Sequence, residues 1–227
     1  TMLDWISQKN IAVYGPDQSL ILAQNTNSVT LSSDFDLVDF SLYLSTNLAI
    51  AGNMVVSNAS LSMTAEAKPN LVVGGNLLVA TNGTVSHWPG LEAYRLVLQV
   101  GGNLTVDAGG SLSADGRGFP PGTGPGRGAL DNANTCPAAS HGGMGAPNPG
   151  VAGQPTTYGS ILSPTNFGSG AYSYGGGAIQ ATVAGTTRVD GAISVKAGPP
   201  GLAAAAGGSI YLVTGFLEGS GTLDASS

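Results

Sequence analysis

Leu98-Gln-Val-Gly-Gly-Asn-Leu-Thr-Val-Asp-Ala-Gly-Gly-Ser-Leu-Ser-Ala-Asp-Gly-Arg-Gly118 is the stretch on which the reading of the fold turns. It contains three short apolar runs separated by Gly-Gly-Asn and Gly-Gly, residues that tolerate the positive φ of tight corners. The opening phrase recurs upstream, as Leu48-Ala-Ile-Ala-Gly52-Asn53 and Leu71-Val-Val-Gly-Gly75-Asn76, with asparagine spacings of 23 and 27 residues. A second run follows each corner (Met54-Val55-Val56, Leu77-Leu78-Val79, Leu104-Thr105-Val106), then a third (Leu61-Ser62-Met63, Thr84-Val85-Ser86, Leu112-Ser113-Ala114). The phrase returns near the end, where Gly185 and Gly215 are 30 residues apart.

A repeat of this length with three strands per unit cannot bury its apolar side chains alone, but stacked units can. The sequence therefore predicts an all-β fold, a single-stranded parallel β-solenoid (β-helix) with a long glycine/proline-rich insertion. An antiparallel sandwich is the competing fold, but it does not need corner chemistry that recurs at a fixed spacing. Asn53, Asn76 and Asn103 are expected to stack as a corner ladder, amide on amide. The divisions are 1–30, an N-terminal cap or first coil; 31–118, solenoid coils; 119–177, the insert, packed on the solenoid; and 178–227, further coils. In the insert about two residues in five are glycine or proline, yet it carries Tyr158, Phe167, Tyr172 and Tyr174, which can anchor it.

Composition narrows the function. The chain has 36 glycines and 13 prolines in 227 residues, only 9% charged residues and a net charge of −6. About 25% charged is usual for a globular protein. Seven scattered basic residues give no phosphate-tracking patch, which excludes a nucleic-acid binder. No apolar run approaches the length of a membrane-spanning helix. Cys136 is the single cysteine, so a disulfide framework within the chain is impossible. The chain opens without a signal-like segment, and both ends read as cuts, as in a mature or trimmed piece of a secreted protein.

With the Leu98–118 phrase go Ala139-Ala-Ser-His-Gly-Gly-Met-Gly145, Tyr158-Gly-Ser160, Phe167-Gly-Ser-Gly170, Gly175-Gly-Gly-Ala-Ile179, Gly207-Gly-Ser-Ile-Tyr211 and Gly219-Ser-Gly-Thr-Leu223. As an ordered set over roughly residues 71–227, these resemble the large glycine-rich β-helical surface proteins of bacteria and some microbial eukaryotes. The resemblance implies secretion, surface display or fibres, and an adhesin-like role. It implies no reaction and no catalytic residues.

Parallel β-helices also host polysaccharide lyases and hydrolases, so the carboxylates were weighed for chemistry. Asp107 and Asp190 hold equivalent places in their repeats and form a weak carboxylate pair, which stacking would bring to about the 5 Å of a retaining glycosidase. Against this, Val-Asp is a common turn opening. Asp34, Asp36 and Asp39 alternate like calcium ligands, but lack the glycine and distal glutamate of an EF-hand. Trp88 and Tyr94 are candidate carbohydrate contacts through their aromatic faces. Asn58, Asn82 and Asn103 fall in glycosylation sequons. The expectation is an extracellular, cell-surface structural or adhesive module, with a carbohydrate-binding or polysaccharide-degrading protein as the alternative. Its partners would be itself end to end, other surface proteins or glycans. No cofactor is expected beyond calcium, and the balance falls against an enzyme.

Overall fold

A computed structural model of the chain describes residues 11–13, 18–22, 28–63, 70–127, 137–146, 155–199 and 203–227. Strands recur in threes. They are β1 (Ile11–Val13), β2 (Gln18–Leu22) and β3 (Ser28–Leu31); β4 (Phe35–Val38), β5 (Phe40–Leu44) and β6 (Asn47–Ile50); and β7 (Met54–Ser57), β8 (Ser60–Met63) and β9 (Leu71–Val73). Then come β10 (Leu77–Val79), β11 (Thr84–His87) and β12 (Leu96–Val100), followed by β13 (Leu104–Val106) and β14 (Ser111–Ser113). After the insert stand β15 (Ala178–Val189), β16 (Ala192–Ser194), β17 (Ser209–Glu218) and β18 (Thr222–Asp224). A 3-10 turn at Glu92–Tyr94 is the one helical element among the described residues.

The strands form two parallel sheets. The larger has eleven, in the order β1-β4-β7-β10-β13-β15-β12-β9-β6-β3, with β17 added on β15. The smaller has seven, in the order β18-β16-β14-β11-β8-β5-β2. This corrects the single-stranded β-solenoid expected from the repeat: the larger sheet turns back through β15 and is nearly closed, in a barrel-like arrangement beside the second sheet. The cause is local. Earlier passes break into two strands at Gly52-Asn53, Gly75-Asn76 and Gly102-Asn103, whereas Ala184-Gly185-Thr186 continues through the equivalent place as a single strand. One part of β15 (179–183) pairs with β12 and another (187–189) with β13, so it joins limbs the sequence had kept apart.

The core lies inside these sheets, in rows set by parallel register. Phe35, Met54, Leu77 and Leu104 form one row; Leu37, Val56, Val79, Val106 and Val189 another; Leu61, Val85, Leu112 and Ile193 a third. All are buried. Full burial of such a side chain contributes roughly 1.5–3 kcal/mol. Thr187 enters the first row fully buried, its hydroxyl donating to Thr214 Oγ1 at 2.9 Å.

Between β14 and β15 the described chain carries no strand, but its backbone is densely paired. Gly118 N donates to Gly175 O, Phe119 N to Gly168 O, Gly175 N to Phe119 O and Gly176 N to Ala206 O, at 2.7–3.1 Å. Here glycine serves close approach. A Cβ on Gly175 would stand 1.9 Å from Gly168 O, and one on Gly176 1.8 Å from Val195 O. Around these segments Ala139, Ala171, Ala205 and Ala206 form a small second core. The capping element expected over 1–30 falls largely outside the described residues, and Cys136 lies outside them.

Candidate functional site

Three features organise the molecule, and the first is the corner after the first strand of each glycine phrase. Asp34 Oδ1 accepts from Asn53 N at 2.7 Å, Asn53 Oδ1 from Asn76 N at 2.8 Å, Asn76 Oδ1 from Asn103 N at 2.8 Å, and Asn103 Oδ1 from Thr186 N at 2.8 Å. Each step is thus side-chain oxygen to backbone N–H, where the sequence suggested amide on amide. Neighbouring glycines make room for it: a Cβ on Gly102 would lie 2.4 Å from Asn76 Oδ1. A second set of corners, not marked by the glycine phrases, lies elsewhere in the same passes. Asp39, Asn58 and Asn82 take positive φ (55°, 47° and 56°), and Asn58 Nδ2 donates to Asp39 Oδ1 at 2.6 Å. Asn58 and Asn82, which the sequence marks as sequons, are thus corner residues.

The second feature is His87. It sits in register with Met63 at the end of β11 and is fully buried. Nδ1–H donates to Trp88 O at 2.7 Å, which leaves Nε2 to accept from Ala178 N at 3.2 Å. The ring stacks on Phe167 at 5.1 Å, and Phe119 meets Phe167 edge-on at 6.0 Å. Desolvation pushes the His87 pKa down to about 4, outweighing the Trp88 hydrogen bond, so the ring is neutral. Glu92 Oε1 holds the same segment by accepting from Phe167 N at 2.8 Å and Asn166 Nδ2 at 3.2 Å. Tyr158 donates to Phe167 O and accepts from Ser169 Oγ; burial raises its pKa to about 12. This cluster pins the insert to the sheets and offers no activated nucleophile.

The third feature is an open edge. Among the described residues β17 pairs only with β15, and β18 only with β16. Phe216 is 76% exposed, Leu217 52% and Leu223 49%. Leu217 continues the row of Thr187 and Leu104, and Leu223 that of Ile193 and Leu112, rows that are buried from Phe35 and Leu42 onward. At the opposite end, among the described residues, β1, β2 and β3 pair only with β4, β5 and β6.

The residues singled out from sequence are scattered among these features. Asp34 and Asp39 direct carboxylates to the two corner ladders, while Asp36 stands between them on β4. Among the described residues no three His, Cys, Asp or Glu gather as a metal site. Asp107 and Asp190 follow the paired residues Val106 and Val189. Asp190 Oδ2, however, accepts from Arg188 Nε at 2.6 Å, and Oδ1 from Ser220 N at 3.0 Å. The Arg188 contact keeps this carboxyl below its usual range, which unsuits it as a general acid. Trp88 is 48% exposed after β11, and Tyr94 closes the 3-10 turn half-buried.

Two clefts flank the glycine-rich segments. One, of about 960 Å³, is lined by His141, Met144, Tyr158, Ile161 and the 204–210 segment; burial lowers the His141 pKa. The other, of about 570 Å³, lies between Tyr172, Tyr174 and 197–199.

No family model, curated protein or solved structure matches this chain. The resemblance to glycine-rich β-helical surface proteins is therefore corrected: the sheets are joined in a barrel-like arrangement, and no relative supports that family. Nothing in the fold or the comparisons supports the secreted and adhesin descriptions that came with it.

Proposed function

We propose that this chain is a structural module that stacks lengthwise, the edge of β17 and β18 that is unpaired among the described residues receiving the β1–β3 end of a second copy. The observation that carries this reading is the emergence of Leu217 and Leu223 from rows that are otherwise buried. Two further facts support it. Every described strand pair is parallel, so a second copy placed head to tail continues both sheets with the same register rule. An edge with exposed N–H, C=O and apolar side chains is a template for strand addition, and a head-to-tail contact that does not close on itself builds filaments.

Covering the exposed parts of Phe216, Leu217 and Leu223 contributes roughly 3–5 kcal/mol, scaled from the full-burial figure. That is comparable to the lower estimates of the association cost, so stacking depends on backbone pairing and on concentration. Sedimentation velocity and electron microscopy over rising concentration test the proposal. Wild type is expected to gain mass and form linear particles. Phe216→Asp with Leu217→Asp is expected to stay monomeric with an unchanged circular dichroism spectrum. A wild type that remains monomeric at the highest concentration refutes the assembly.

A further inference from the structure

The cleft of about 570 Å³ shares no lining residue with β17 or β18 and has its own chemistry. Its walls are tied by backbone: Gly198 N donates to Tyr174 O at 2.8 Å and Gly116 N to Lys196 O at 2.9 Å. Its shape is therefore set before a ligand arrives, and its size falls in the about 300–1,000 Å³ range of small-molecule sites. Tyr174, 41% exposed, and the exposed Pro121 and Pro199 line it with flat C–H-rich surface.

The polar part is Asp115. Its Oδ1 accepts from Ser194 Oγ at 2.5 Å and from Lys196 N at 2.7 Å, contacts that fix the carboxylate. Its Oδ2 lies 3.7 Å from Lys196 Nζ, beyond hydrogen-bond length. Lys196 is not itself a lining residue of the cleft, but its ammonium stands beside the lining carboxylate of Asp115, so a ligand that reaches Oδ2 also comes within reach of this donor. A group suited to both must present an apolar face and hydroxyls that donate to a carboxylate and accept from an ammonium. A sugar ring does so. The paired charges leave no net preference for an anion.

We infer that this cleft binds a neutral saccharide, with a sugar face on Tyr174 and its hydroxyls bridging Asp115 Oδ2 and Lys196 Nζ. The aromatic pair singled out in the sequence, Trp88 and Tyr94, lines a different part of the surface.

The test is an array of neutral gluco-, manno-, galacto- and N-acetylglucosamine oligosaccharides, followed by calorimetric titration of any series that binds. Wild type is expected to bind at least one series saturably. Tyr174→Ala and Lys196→Ala are each expected to weaken it about tenfold, the scale of one lost stacking contact or charged hydrogen bond. Tyr174→Phe should retain most of the affinity, and the Phe216→Asp, Leu217→Asp variant all of it, which separates this site from stacking. No saturable binding to any series overturns the inference. So does affinity unchanged in both weakened variants, or capture of a proline-rich peptide by the Tyr174 cleft in place of sugar.

Discussion

Acidification should loosen the molecule at His87, and the effect can be worked out. The ring titrates at about 4 in the folded protein, against 6.5 for the ordinary side chain. The unfolded chain therefore takes up a proton at a pH where the folded one resists it. Because the folded value is the lower one, the stabilisation is complete above pH 6.5 and falls away as pH drops toward 4. At about 1.36 kcal/mol per pH unit, the loss is about 2 kcal/mol at pH 5 and about 3 kcal/mol by pH 4. The main cause is desolvation of the buried ring, and a proton on Nε2 would in addition put a donor against the Ala178 N–H. His87→Met provides the comparison, since Met63 already occupies the adjacent place in the same row. The variant abandons the Ala178 N–H and should be about 1–3 kcal/mol less stable than wild type at pH 7.5. By pH 5 the two should converge. Urea unfolding at pH 7.5, 6 and 5 measures both, and contributions from His141, Asp190 and Asp224 cancel in the difference. Parallel stability–pH curves for wild type and variant would refute the reasoning.

Two further perturbations test the corners and the glycine contacts. Asn76→Ala removes the acceptor of Asn103 N–H and should cost about 0.5–1.5 kcal/mol in urea unfolding, whereas Asn76→Asp, copying Asp34 at the start of the ladder, should cost less; equal losses would remove the hydrogen-bond explanation. Gly175→Ala places a methyl 1.9 Å from Gly168 O and should release the insert, speeding limited proteolysis within 115–177 while the far-ultraviolet spectrum keeps its strand signal; a wild-type cleavage rate would contradict the packing.

The sequence carried the strand content, and it carried the corner places because Gly52-Asn53, Gly75-Asn76 and Gly102-Asn103 repeat at measurable spacings. The fusion of the limbs did not show. Ala184-Gly185-Thr186 looks like another small-residue break, and only pairing with β12 and β13 together reveals one strand. The positive-φ corners at Asn58 and Asn82 were hidden behind sequons, since the tripeptide that attracts a glycan is also one that turns a chain. His87 could not be valued from sequence because Ala178, which donates to its Nε2, lies 91 residues away and Phe167 lies nearly as far. The Tyr174 cleft depends on Asp115, Tyr174 and the 197–199 segment arriving together from three separated stretches, with Lys196 beside Asp115.

β15 works as a buckle. One border clasps β12 and β13 together, and the other carries β17. Peeling either half of the large sheet from its late end must open this single fastening, which frees the other half as well. Heat or force should therefore meet resistance here as one event, and a loosened Val183–Thr186 bulge would be felt on both sides of the molecule together.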